Sequence, residues 1–516
     1  MDTVATNKAG RREWLGLAAL ALPTMLIGLD LTVLHLAVPE LSADLQPGSS
    51  QLLWITDIYG FLIAGFLITM GTLGDRIGRR RLLLIGAAAF GLASILAAYS
   101  TSPEMLIVAR AALGITGATL MPSTLSLISN MFTDPRQRSF AIAVWMINFM
   151  IGGAVGPLVG GLLLEQFWWG SVFLISAPVM ALLLIVGRLL LPEYRNPDAG
   201  RLDLTSVVLS LVAILAVIYG VKEVAKGGSA GIALVAVAAG LAVGTVFVRR
   251  QRRLAEPLMD LTLLGDRVFS TALGAQLMGL FVISGMQFLL IQYMQLVLDV
   301  SARRAGLLII PGMVVAIATS LMAPALARRW RHAPVISAGL LVSGIGLVAV
   351  TQVSADSGVG PAVVGFTIIS LAINPAIALT YDLVIGSAPP ERAGSASGMA
   401  ETSSELGLAL GVAVSGSVAT AVYRGLTSAD TLPDGVERSA GPTAVETAGD
   451  TLPGALDVAA GLPAPASTEL LEVTRDAFTR GVQVAGAVNI AIVVAMAALV
   501  AIITRRAGDE HRDTPS

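Results

Sequence analysis

Runs of about 20 apolar residues, separated by short polar or basic stretches, fill nearly the whole chain. They begin near Trp14, Gln51, Leu82, Glu104, Phe140, Gly170, Leu204, Gly231, Ser270, Ala305, Pro334, Gly360, Gly394 and Gly481. Each is long enough to cross a bilayer as a helix, so the pattern predicts an all-α integral membrane protein with fourteen transmembrane helices. An even number puts both termini on one side. Sorted by alternate loops, Lys and Arg number 24 on that side and 8 on the other, with Arg110 inside a span, and the positive-inside rule makes the richer side the cytoplasm. Lys8, Arg11 and Arg12 lead into a span of full length, which is read as an anchor rather than a cleaved signal.

The pattern repeats weakly at an offset of about 253 residues. Met121-Pro122 followed by Asp134-Pro135-Arg136-Gln137-Arg138 returns as Asn374-Pro375 followed by Pro389-Pro390-Glu391-Arg392. The repeat predicts two six-helix halves, about 14–192 and 269–504, with two inserted linker helices at about 204–248. The inserted pair has no acidic residue inside its apolar stretches and is expected to stand apart from the chemistry. A long external loop, 425–478, holds nine acidic residues against Arg438 and Arg475. Its functional reading is an acidic apron that gathers cations, with a short amphipathic helix over Thr468 to Phe478; a solvated, partly mobile tether is preferred.

Composition narrows the chemistry. Of 516 residues, 55% are hydrophobic and 13% charged, with a mean hydropathy of +0.79, far from a soluble domain. The chain has no cysteine, and its three histidines (His35, His332, His511) are far apart in sequence, so neither thiolate chemistry nor a metal centre is expected. There is no GxxxxGK phosphate loop, and the only lysines are Lys8, Lys222 and Lys226; an ion gradient is therefore the expected energy source, with no cofactor. Gly227-Gly228-Ser229-Ala230-Gly231 matches GxSxG but sits in an external turn with no histidine nearby, which argues against an enzyme. A monomer without a nucleic-acid partner is expected.

The turn Gly71-Thr72-Leu73-Gly74-Asp75-Arg76-Ile77-Gly78-Arg79-Arg80-Arg81 joins the second and third spans. Its glycines let two helix ends approach, and its arginines are expected in the aqueous phase. Asp75 can meet an arginine or a neighbouring helix N-terminus, a contact that would latch one conformation. The matching turn of the second half, Ala327-Arg328-Arg329-Trp330-Arg331, lacks the aspartate, so the latch is expected to be asymmetric.

Ionisable residues at bilayer depth cost about 2.5 to 3.5 kcal/mol each and are functional candidates by default. Asp30, Asp57 and Arg110 all fall in the outer half of their spans. Arg110 can hold either carboxylate and release it when helices shift, the alternative being a permanent ion pair. Glu401 and Glu405 share a face of span thirteen, where mutual repulsion favours one of them holding a proton. Asp382, near the cytoplasmic end of span twelve, is read as a snorkelling or capping group. Trp54, Tyr59, Trp145, Phe149 and Phe281 are candidate aromatic faces for a cation. On span five, Gly152, Gly156 and Gly160 line one face for close helix packing, with Gly161 adjacent and Pro157 adding a kink.

Gly156-Pro157-Leu158-Val159-Gly160-Gly161 resembles the antiporter motif of the major facilitator superfamily, and Gly71 to Arg81 resembles its signature loop. Leu29-Asp30-Leu31-Thr32-Val33 with Ala37-Val38-Pro39 is similar to the first-helix motif of its drug:proton antiporters. With Gln51 to Tyr59 and Leu120 to Ser126, nearly the whole chain resembles the fourteen-helix QacA-like quaternary ammonium and multidrug efflux pumps. The resemblance implies the major facilitator fold in the cell membrane. It further implies a secondary active transporter exporting lipophilic cations, driven by inward proton flow, with Asp30, Arg110 and Glu401 at the family's membrane-embedded functional positions. His35 departs from the asparagine of many relatives, and span ten lacks the carboxylate that some relatives have, which puts handling of divalent cations in doubt. Export of a neutral or anionic natural product or metabolite, or a non-transporting receptor, are the competing readings.

Overall fold

Short polar caps set where the helices begin. In the computed structural model Asp134 accepts hydrogen bonds from the backbone N–H groups of Arg136 and Gln137, and Ser102, Asp266 and Ser301 cap other helices in the same way. Pro103 and Pro135 occupy first turns, where a missing N–H leaves nothing unsatisfied. Ser229, at the centre of the GxSxG match, caps a helix by accepting from the N–H of Ile232, which is a structural duty. The structure describes residues 9–47, 49–195, 203–225, 229–254, 257, 259, 261–389, 392–428 and 441–510.

The helices of the first half are α1 (Arg11–Leu45), α2 (Ser49–Ile77), α3 (Arg79–Ala98), α4 (Pro103–Met131), α5 (Pro135–Gln166), α6 (Ser171–Leu174) and α7 (Ser176–Leu190). The inserted pair is α8 (Leu204–Ala225) and α9 (Ala230–Gln251). After the short α10 (Leu261–Gly265) come α11 (Arg267–Gln292), ending in a π-helical turn, α12 (Ala302–Trp330), α13 (His332–Val350), α14 (Gly360–Ser387) and α15 (Ala393–Leu426). The chain finishes with α16 (Pro442–Asp450), α17 (Leu452–Ala460) and α18 (Ala464–Glu510). Among the described residues fourteen helical spans are long and apolar enough to cross a membrane, and there is no strand. The sequence repeat has a backbone counterpart: the α2–α3 turn passes through Gly78 at φ 109°, and the α12–α13 turn through Arg331 at φ 65°.

Helix α1 packs on α5, and α11 on α15. The predicted glycine face of α5 makes the first contact. A Cβ on Gly152 would strike the carbonyl oxygen of Met25, and one on Gly156 would strike the Thr32 side chain. Thr32 Oγ1 donates across the seam to the carbonyl of Gly153 at 3.1 Å. A Gly152→Val substitution is therefore expected to force α1 and α5 apart and destabilise the fold by about 1–3 kcal/mol, the usual cost of overpacking. A Cβ on Gly161 would meet nothing within 4 Å, so Gly161→Ala is expected to be silent. Thermal unfolding of the two variants in detergent checks the pair.

Helix α8 rests on both α2 and α15, where Ile214 and Leu215 meet Phe61 and Leu406. The inserted hairpin thus lies against the seam between the halves rather than away from it. Arg250 clips its ends by donating to Asp203 at 2.8 and 3.1 Å. Those bonds hold the Asp203 carboxyl below the usual carboxylate range, so the clip stays ionised as pH falls through mildly acidic values.

The loop expected to be a mobile tether is helical in its described part. Tyr423 donates to the carbonyl of Ala448 at 2.6 Å, and Leu452, Ala455 and Ala459 of α17 are buried; residues 429–440 lie outside the described residues. The amphipathic helix over Thr468 to Phe478 is the start of α18, continuous with the last span. Nothing between Ala464 and Gly481 breaks the helix, and Arg475 anchors it to Asp299 at 2.7 Å.

Candidate functional site

Asp30 on α1 and Arg110 on α4 come together in the interior of the first half. Arg110 Nη1 donates to Asp30 Oδ2 at 2.8 Å and Nε donates to the carbonyl of Ile55 at 3.2 Å. Both side chains are buried. The guanidinium also lies 4.6 Å from the centre of the Tyr59 ring, which stabilises a desolvated cation from its face. Asp30 is thus a partner of Arg110; the side chain of Asp57 lies outside the described residues.

Glu401 and Glu405 occupy α15, in the second half. The helix is pinned around them: Gln276 of α11 donates to the Ala400 carbonyl at 2.9 Å and to Ser404 Oγ at 2.6 Å, and Ser404 Oγ lies 2.7 Å from the Tyr381 hydroxyl of α14. Glu401 is 3% exposed and has Tyr381 as a hydrogen-bonding neighbour, yet its Oε1 has no hydrogen-bond partner among the described residues. A buried carboxylate oxygen left unpaired is uncommon and costly unless something transient completes it. Glu405 is half-buried and electrostatically close to Glu401. Tyr59 lies within electrostatic reach of Asp30 and Arg110 in the first half and of Glu405 in the second. The acids differ in their compensation: Asp30 has a cation in contact, whereas Glu401 has Glu405 and the Tyr381 phenol as neighbours and no ion pair among the described residues.

Two cross-half contacts gather at the arginine-rich end of the bundle. Asp75 forms an ion pair with Arg79, and its other oxygen accepts from the backbone N–H of Ser395 at 3.1 Å, in the first turn of α15. Both partners open to the aspartate in the sequence are therefore engaged. Arg79 is fully buried, which corrects the expectation that the turn's arginines all stay in water. Gly74 leaves room for it, since a Cβ there would lie 2.5 Å from Arg79 Nη1, and Gly78 combines its left-handed backbone with a Cβ position 2.5 Å from Glu193 Oε1. Arg80 reaches the Leu191 carbonyl at 3.1 Å.

The second contact joins α5 to α14. Arg138 of α5 donates through Nε to Asp382 of α14 at 3.2 Å, and His332 Nε2 sits 3.1 Å from the other Asp382 oxygen. Asp382 is buried. It is therefore a cross-half ion-pair partner rather than a snorkelling or capping group. The sequence signal was the basic pair Arg136 and Arg138 facing, on the same side of the membrane, a span end with one carboxylate. Neutralising Asp75 by Asp75→Asn is expected to loosen this end of the molecule. Because the chain has no cysteine, spin labels at R81C and S387C can be introduced without background; the variant should show a longer, broader distance distribution, and an unchanged one would refute the latch.

The aromatic candidates separate. Trp145 lies 5.7 Å from Tyr381 in an edge-on pair and donates to Thr124 Oγ1 at 3.0 Å, placing it beside the Glu401 cluster. Tyr59 lines the Arg110 pair. Trp54 is 41% exposed and turns toward Phe61. Phe149 and Phe281 present carbonyls to the glycine seams, facing Gly28 and Gly411. Gly160 is buried in α5, and the side chain of Pro157 lies outside the described residues. Gly407 and Gly411 of α15 repeat in the second half what Gly152 and Gly156 do in the first, with the same spacing of four residues.

A sequence model of the Major Facilitator Superfamily matches residues 20–412. The chain is 40% identical over 506 residues to the multidrug efflux pump LfrA of Mycolicibacterium smegmatis, covering 98% of this chain and 99% of that protein. It is 32% identical over 472 residues to the methyl viologen resistance protein SmvA of Salmonella typhimurium, covering 90% and 93%. Among solved structures, the human organic anion transporter MFSD10 superimposes with a TM-score of 0.57 at 16% identity, covering 93% of this chain and 98% of that one, a likeness of fold.

Proposed function

The chain belongs to the major facilitator superfamily, a multi-pass membrane transporter and not an enzyme, and on that premise we propose that it exports lipophilic cationic drugs, dyes and quaternary ammonium compounds in exchange for protons. The observation that carries this reading is the buried, half-partnered carboxylate of Glu401 beside a second acid and two aromatic side chains. A carboxylate in such a place is completed either by a proton or by a cation, and the two exclude one another. That exclusion is what an antiporter needs. The relatives named for multidrug efflux and methyl viologen resistance support the export direction and the cationic class.

The basic end, which carries most of the arginines, faces the cytoplasm, and both termini lie there. With Asp75 holding α15 and Asp382 holding Arg138, the described state is closed on that side. Protons from outside reach Glu401 in this state and displace cargo. Reopening toward the cytoplasm breaks both latches, the proton leaves, and a new cation enters against the ionised acid and the Trp145 and Tyr381 rings. Moving one charge across 100 mV is worth about 2.3 kcal/mol, so one proton for one monovalent cation draws only on the pH difference, and a second titrating acid such as Glu405 or Asp30 lets voltage contribute. Ethidium efflux from cells tests the proposal. It should stop when the proton gradient and voltage are collapsed and be inhibited competitively by quaternary ammonium compounds; efflux indifferent to both would overturn it.

A further inference from the structure

At the basic end, between the first turn of α5 and the last turns of α12 and α14, lies a cleft of about 290 Å³ that carries neither Glu401 nor Asp30. Arg136, Arg138, Arg328 and His332 line it, with Asp382 as the carboxylate in its wall. Asp382 is already engaged by Arg138 Nε and His332 Nε2. The side chains of Arg136 and Arg328 make no hydrogen bond or ion pair among the described residues. The lining therefore keeps an excess of positive charge from two opposite walls, one in each half of the protein. Gly386 deepens the cleft, for a Cβ there would lie 2.7 Å from Arg138 Nη2.

Guanidinium groups on the two walls of one cleft suit a phosphate, which accepts several charge-assisted hydrogen bonds at once. The surroundings favour a phosphate carried by a lipid. Pro324 and Ala327 give the cleft an apolar edge. One turn further into the span, Leu321 and Met322 of α12 are exposed, while exposed Trp330 at the helix end sits where indoles meet the membrane interface. An acyl chain can thus lie along α12 while its headgroup enters the cleft. We propose that this cleft binds the phosphate of an anionic phospholipid, which bridges α5 and α12 and helps hold the basic end closed. The proposed orientation decides only which leaflet supplies that lipid.

The test is binding, read separately from transport. Purified full-length protein in a neutral detergent is titrated with dioctanoyl phosphatidylglycerol, dioctanoyl phosphatidylcholine or inorganic phosphate, and bound molecules are counted by native mass spectrometry. Saturable phosphatidylglycerol binding is expected, well above that of phosphatidylcholine. Arg136→Gln with Arg328→Gln should weaken it about thirtyfold, since two basic groups near the headgroup are lost. Arg249→Gln with Arg252→Gln, which removes two charges from the other basic stretch at the same end, should leave it unchanged. If the cleft variant does not fold, Ser387→Glu, at an exposed cleft position, replaces it and should abolish binding. Unweakened binding in the cleft variants, or an equal loss in the Arg249 and Arg252 variant, would overturn the site. Inorganic phosphate that binds alone and blocks phosphatidylglycerol at equal concentration would overturn the lipid assignment and leave the cleft to a soluble phosphate.

Discussion

Glu401→Gln is expected to lower proton-coupled ethidium efflux about a hundredfold, taking about 3 kcal/mol as the worth of an embedded charge, while the protein folds as before. The amide is nearly isosteric, and Gln276, Ser404 and Tyr381 continue to pin α15 around it. What it cannot do is alternate between a proton and a cation. Glutamine removes a buried negative charge that has no ion pair among the described residues, so stability should stay level or rise, which separates a coupling defect from a folding defect. Glu405→Gln should cost less, because Glu405 is half-buried. Efflux rates in proteoliposomes with an imposed pH gradient, alongside melting temperatures, measure both effects.

Asp30→Asn is expected to do the opposite to stability. Arg110 is buried and takes its charge compensation from Asp30, with Tyr59 adding only a ring face. Removing one member of such a pair leaves an uncompensated cation and typically costs about 3–5 kcal/mol. In a protein of this size that corresponds to a fall in melting temperature of about 3–5 °C. The double variant Asp30→Asn, Arg110→Gln removes both charges and should recover most of the lost stability. It should still export poorly, since Asp30 and Arg110 belong to the electrostatic group around Tyr59 that extends to Glu405. A double variant that regains full efflux would reduce the pair to scaffolding.

Hydropathy and charge placement made the spans legible, because crossing a bilayer imposes one length and one polarity on every helix. The glycine face of α5 was legible for the same kind of reason: spacing on a helix fixes which residues share a side, although it could not say that α1 is the partner. Partners across the two halves were not legible. Arg138 and Asp382 are 244 residues apart, and nothing in either local sequence points to the other until the halves are docked. Arg79 read as a water-facing arginine because its neighbours are basic; Asp75 and the missing side chain of Gly74 let it turn inward. The acidic loop reads as a tether because its composition is polar and proline-rich, yet Tyr423 and the buried alanines of α16 and α17 join it to the main hydrophobic core.

Proton release from the purified protein tests the central proposal most directly. In weakly buffered detergent solution near neutral pH, adding ethidium to the parent protein should release protons in a saturable manner as the cation displaces them from the embedded acids. Glu401→Gln should release markedly fewer at the same occupancy. Release from Glu401→Gln equal to that of the parent would contradict the exchange of proton for cation at this carboxylate.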